Sequence, residues 1–112
     1  MLFGEEHPPT LTAANNYAIS LLELERFEEA KRILHRLVPV AQRVLGTEND
    51  HTLSMREDLS RATLEGESSA KEKREALRML KDTVAVMRRV LGPAHPDTLR
   101  VQRELEHYQG SQ

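Results

Sequence analysis

Leu91-Gly92-Pro93-Ala94-His95-Pro96-Asp97-Thr98-Leu99 decides how this chain is read, because the phrase occurs twice more in altered form. The other copies are Phe3-Gly4-Glu5-Glu6-His7-Pro8-Pro9-Thr10-Leu11 and Leu45-Gly46-Thr47-Glu48-Asn49-Asp50-His51-Thr52-Leu53. Their glycines, Gly4, Gly46 and Gly92, stand 42 and 46 residues apart. Self-similarity at a period of roughly 20–50 residues marks stacked supersecondary units. Such stacks usually present binding surfaces and rarely catalyse.

Each copy has the chemistry of a helix junction. The glycines follow an apolar helical pattern, where a left-handed C-terminal cap is expected. Three residues on, His7, Asn49 and His95 stand at N-cap positions. Pro8 and Pro96 follow at the first helical position, where a missing N–H costs nothing. Asp50 and Asp97 place negative charge in a first turn, which suits the helix dipole.

The stretches between the phrases hold two helices each. The first helix is expected over about Pro8–Leu24, with Leu11, Ala14, Tyr17, Ala18, Leu21 and Leu22 at helical spacing. The second is expected from Phe27 to Leu45, on a stripe of Phe27, Ala30, Ile33, Leu34, Leu37, Ala41 and Val44, with Glu25-Arg26 as the turn. The third spans about Asp50–Glu65 and is broken by Gly66-Glu67-Ser68. Ser69 and Glu72 form a Ser-x-x-Glu capping box, so a fourth helix starts at Ala70 and runs to about Leu91. A fifth, about Pro96–Tyr108, carries Leu99, Val101, Leu105 and Tyr108, and Gly110-Ser111-Gln112 reads as a frayed end. Pro39, inside the second helix, predicts a kink or short interruption near Val38.

Bulk composition narrows the function classes. The 112 residues carry a net charge of −2, which argues against a general nucleic-acid or membrane surface. Arg88-Arg89 is the one hint of nucleic-acid binding, and nearby acids offset it. The absence of cysteine excludes a disulfide framework, a thiolate metal site and a cysteine nucleophile. No apolar run reaches transmembrane length and no signal peptide is visible. A soluble, cytoplasmic protein is therefore expected. The five histidines include no His-x-x-x-His or Glu-x-x-His pair on one helix face, so no metal or other cofactor is expected. No glycine-rich phosphate loop occurs, and the paired acids Glu5-Glu6 and Glu28-Glu29 lie in solvated turns, so no enzymatic activity is expected.

At this point the residues carry a resemblance. The phrase at Leu91–Leu99 resembles the hallmark of the long, roughly 42-residue tetratricopeptide repeats of kinesin light chains and of signalling ATPases of the NB-ARC and NACHT type. Ala14-Asn15-Asn16-Tyr17-Ala18 and Arg26-Phe27-Glu28-Glu29-Ala30 are similar to two further stretches of that repeat. Glu25 stands where the family usually has a turn glycine, and Lys73 where it has an aromatic.

The resemblance implies an all-α fold: antiparallel helical hairpins stacked as a right-handed superhelical solenoid of about five helices. It forms a single domain over residues 1–112. Repeat one covers about 8–45, repeat two about 50–91, and a terminal or capping helix about 96–108. A fragment of a longer array is expected, because the fifth helix lacks the partner a complete unit would give it.

The resemblance also implies that the first helix of each pair lines a concave groove. The groove positions are then Thr12, Asn15, Ile19 and Leu22, then Ser54, Glu57, Arg61 and Leu64, then Arg100, Arg103 and His107. Asn15 can bond a ligand backbone both ways. Arg61, Arg100 and Arg103 can pair with carboxylates. The expected function is a non-catalytic interaction module that binds a protein or peptide partner of acidic character. The set of side chains that clamps chaperone C-termini is not present. The alternative is structural self-association, a weak homo-oligomer formed through the exposed faces of the first and last helices.

Overall fold

The computed structural model describes residues 8–110, and five helices account for almost all of them. They are α1 (Pro8–Glu23), α2 (Phe27–Leu45), α3 (Asp50–Glu65), α4 (Ala70–Val90) and α5 (Pro96–Gly110). No strand occurs among the described residues. Each helix packs against the next in the chain, and α1 also touches α3, as expected for hairpins laid side by side. Gly4 and His7 lie outside the described residues. No helix of the described residues is long and apolar enough to cross a membrane.

Two apolar clusters share one wall. Leu11, Leu21, Leu34, Leu37 and Ala41 from α1 and α2 close on Met55, Leu59 and Ala62 of α3. Leu80, Val84 and Met87 of α4, with Val101 and Tyr108 of α5, close on Leu53 and Leu64 of the same α3. Because α3 is covered on both sides, it buries polar residues as well: Thr52, Glu57, Asp58, Ser60 and Thr63. Among the described residues the end helices pack against neighbours on one side only, and Leu99 of α5 remains 38% exposed.

The junction phrases work through groups that the spacing did not single out. Thr52 is fully buried and its hydroxyl donates to the Ala41 carbonyl, 3.3 Å away. Thr98 repeats this contact with the Met87 carbonyl at 3.4 Å, again eleven residues back. The repeated threonine therefore ties each new first helix to the last turns of the helix before it. Asn49 caps α3 by accepting from the His51 N–H at 2.8 Å. His95 caps α5 with ring Nδ1, which accepts from the Asp97 N–H at 3.1 Å. The capping box at α4 forms in both directions between Ser69 and Glu72.

Three details differ from the sequence reading. Gly46 has φ 95 and ψ 158, so it takes the mirror-image extended conformation instead of a left-handed helical cap. That region is open almost only to glycine. The interruption expected at Pro39 does not occur: α2 is unbroken from Phe27 to Leu45. His35 and Pro39 are both exposed, so the lost hydrogen bond falls on the solvent side, while Leu34, Leu37, Val38 and Ala41 anchor the helix from below. Gly66 does more than stop α3. A Cβ there would lie 2.8 Å from both the Ala62 carbonyl oxygen and the Phe27 Cβ. The two interhelical turns thus meet at a point where only glycine fits.

Glu25, the residue in place of the family's turn glycine, has φ 60 and is the single non-glycine residue with positive φ among the described residues. The left-handed conformation costs an L-residue roughly 1–2 kcal/mol, partly offset by glycine's greater freedom in the unfolded chain. Glu25→Gly is therefore expected to stabilise the fold by about 0.5–1 kcal/mol. A thermal melt that shows no rise in midpoint would contradict this.

Candidate functional site

The first helices α1, α3 and α5 form one face of the molecule, and the groove positions distribute over it in depth. Thr12, Arg100, Arg103 and His107 are exposed; Ile19, Ser54 and Arg61 are half-buried. Asn15, Leu22, Glu57 and Leu64 are buried. Asn15 sits in the apolar stripe Leu11–Asn15–Ala18–Leu22, and its Oδ1 is buried without a hydrogen-bond partner. The second and third units are brought together most closely. Arg100 of α5 donates to Glu57 of α3 at 2.5 Å and lies 3.3 Å from Glu104. Arg61 of α3 approaches Glu104 at 3.5 Å and Asp58 at 4.0 Å.

Asp58, Glu104, Glu65 and Tyr108 complete this cluster and were not singled out by sequence reasoning. A signal existed. Glu57 and Arg100 are 43 residues apart, as are Arg61 and Glu104. The period between these two units is 46, so residues one period less three apart place opposite charges across neighbouring first helices. Asn15 and Asp58 have the same spacing, and each holds a buried oxygen without a hydrogen-bond partner.

Carboxylates outnumber guanidiniums here, so protons are retained. Asp58 is pushed up to about 7 by burial and then by the Glu57 charge, with Arg61 and Arg100 opposing. Glu104 is raised by burial, by a hydrogen bond shared with Glu57 and by the Glu57 charge. Burial, with Glu65 and Glu104, lifts Tyr108 to about 12. Arg100 is held above its usual value by its hydrogen bond to Glu57.

Beside the cluster, at the N-terminal ends of α3 and α5, a cleft of about 270 Å³ opens to solvent. Leu53, Met87 and Leu91 give it an apolar base, and Asp50, His51, Ser54, Glu57, Asp97 and Arg100 line its polar side. No group of three histidine, aspartate or glutamate side chains that could hold a metal ion occurs among the described residues.

A family model described as tetratricopeptide repeat matches residues 10–53 and 67–97, more than half of the chain. The chain belongs to the tetratricopeptide repeat family. Comparison with curated proteins and with solved structures returned no match. The two matched segments cover the helical hairpins α1–α2 and the region from the capping box through the start of α5. Most of α3 lies between them, and α3 is the helix whose polar residues are buried. Tetratricopeptide repeats generally mediate protein–protein interactions and are typically non-catalytic.

Proposed function

We propose that this chain is a non-catalytic interaction module that holds a peptide segment of a partner protein along the α1–α3–α5 face. The observation that carries the reading is the cleft between α3 and α5, where Ser54 and Arg100 are accessible above an apolar base. Thr12, Arg103 and His107 extend the accessible polar surface to either side. Of the buried positions, Glu57 lines the cleft, while Asn15, Leu22 and Leu64 are covered by the packing of the helices. Arg61 and Arg100 already bind Glu57, Asp58 and Glu104, so a partner carboxylate competes with internal ones for these two. An acidic preference then rests on Arg103 and on the N–H donors that Arg100 has left, since a guanidinium offers five.

Peptides selected from a random displayed library on the whole chain test this reading. Acidic sequences are expected to dominate, and Arg103→Glu is expected to weaken their binding about tenfold while leaving the melting midpoint unchanged. Selection of basic sequences, or affinity indifferent to Arg103→Glu, would remove the acidic-groove reading.

A second reading is favoured by the apolar residues left at the ends of the stack. Tyr17 of α1 and Leu24 in the turn just after it are exposed, as are Val90 and Leu99 at the far end. Head-to-tail contact between such ends would be heterologous and would propagate. Sedimentation over a concentration series separates the readings, since a constant monomer mass counts against self-association.

A further inference from the structure

A second groove lies on the face built by the second helices, between α2 and α4, with α3 as its floor. At one end it widens to a cavity of about 320 Å³ walled by Val38, Pro39, Leu59 and Met79. A smaller pocket of about 170 Å³ continues it past His35, and the Lys31–Glu72 ion pair at 3.1 Å lies at that far end. The charged and titratable groups facing the wider cavity are His35 from α2, Arg56 from α3, and Arg78 and Asp82 from α4.

One unmet hydrogen-bonding group is buried against this cavity, and a backbone acceptor stands at its solvent-exposed rim. The Arg56 Nε is buried and has no hydrogen-bond partner. Its guanidinium is desolvated enough that burial lowers its pKa, with only the Asp82 charge opposing. Pro39 has no N–H, so the His35 carbonyl lacks the donor that a regular helix would supply. Both residues depart from the repeat. Aligned on the junction glycines, Pro39 corresponds to Ala85, and Arg56 to Ala14 and Gln102. The two residues that shape the cavity are therefore particular to this place in the chain.

Apolar walls around a desolvated, under-bonded guanidinium suit one kind of side-chain pattern. A carboxylate supplies the acceptor that the Arg56 Nε lacks and adds to the single counter-charge of Asp82, and charge-assisted pairs with arginine are the strong ones. A cationic segment would be repelled by Arg56 and Arg78, and a wholly apolar one would seal off the guanidinium unpaired. We propose that the α2–α4 groove docks a partner protein segment that sets an apolar side chain against Leu59 and Met79 and a carboxylate at Arg56. The His35 carbonyl accepts a backbone N–H from the same segment.

The test titrates the ¹⁵N-labelled whole chain with a blocked tetrapeptide of alternating leucine and glutamate, and with its leucine–glutamine counterpart. The glutamate peptide is expected to shift the amides of residues 35–42, 56–59 and 78–82 and the Arg56 Nε–H, and to bind about tenfold more tightly than the glutamine peptide. Arg56→Gln is expected to erase that preference. Arg78→Glu, an exposed substitution that should leave folding intact, is expected to weaken the glutamate peptide several-fold. Arg103→Glu, on the other face, leaves this binding unchanged. Equal affinity for the two peptides, shifts confined to α1 and α5, or no saturable shift at millimolar peptide would each overturn the proposal.

Discussion

Replacing Leu34 with alanine lowers the unfolding free energy by about 3 kcal/mol, a drop of roughly 15 °C in the melting midpoint. Leu34 is 0% exposed and belongs to the cluster that joins α1 and α2 to α3. Truncating such a leucine removes its transfer free energy and leaves a cavity that close-packed helices fill only in part. The effect spreads because α3 is the shared wall. Anything that loosens its contact with α2 also loosens the surface on which α4 and α5 rest. Leu24 provides the control. It is 66% exposed, so Leu24→Ala is expected to change stability by less than about 0.5 kcal/mol. Chemical denaturation of the two variants decides the matter. A loss below about 1 kcal/mol for Leu34→Ala would mean that the α2–α3 contact does not hold the fold together.

Asp58→Asn acts in the opposite direction and depends on pH. Asp58 is 5% exposed, its Oδ2 has no hydrogen-bond partner, and its carboxyl ionises near 7 against an ordinary 3.8. Between those values the folded chain keeps a proton that the unfolded chain has released. The stability contributed by this group is therefore complete below about pH 4 and is lost as pH rises to 7. A shift of about 3 units corresponds to roughly 4 kcal/mol, and relaxation and water penetration around a buried charge reduce such figures. Asp58→Asn is thus expected to stabilise the protein by about 2 kcal/mol at pH 8, with the gain fading towards pH 4.

The raised Glu104 reinforces the trend in the wild type, whose stability should fall between mildly acidic and mildly alkaline pH. Glu72 works the other way. Its carboxyl is held below its usual 4.5 first by the Ser69 backbone N–H and then by Lys31, so the capping box weakens once acid protonates it. Melting curves from pH 4 to pH 8 on both proteins check the prediction. Equal stability of wild type and Asp58→Asn at pH 8 would show that Asp58 carries no buried charge.

Much of this architecture was legible in residue order. Helix boundaries came out within about two residues because stop and start signals are local: Gly46 needs positive φ, Ser69 and Glu72 cap one another, and Pro96 opens a first turn. Pro39 does not interrupt its helix, for a related reason. Its clash is local, but the packing that keeps α2 continuous comes from α3. The groove positions were placed by register alone. Register indicates which side of a helix a residue occupies and leaves open how deeply neighbours cover it. Hence Asn15 and Glu57 are buried while Arg103 is open, although Asn15, Glu57 and Arg103 occupy equivalent positions in the three units.

By itself the sequence determined an all-α repeat with its junctions, its periodicity and its family, because capping chemistry and apolar spacing act within a few residues. Only the tertiary structure decided which charges answer each other. Glu57 with Arg100, and Arg61 with Glu104, meet across 43 residues of chain. The Asp58 carboxyl is raised to about 7 because stacking buries it beside Glu57. Pairing and desolvation depend on distances between helices, and those distances exist only once the hairpins have stacked.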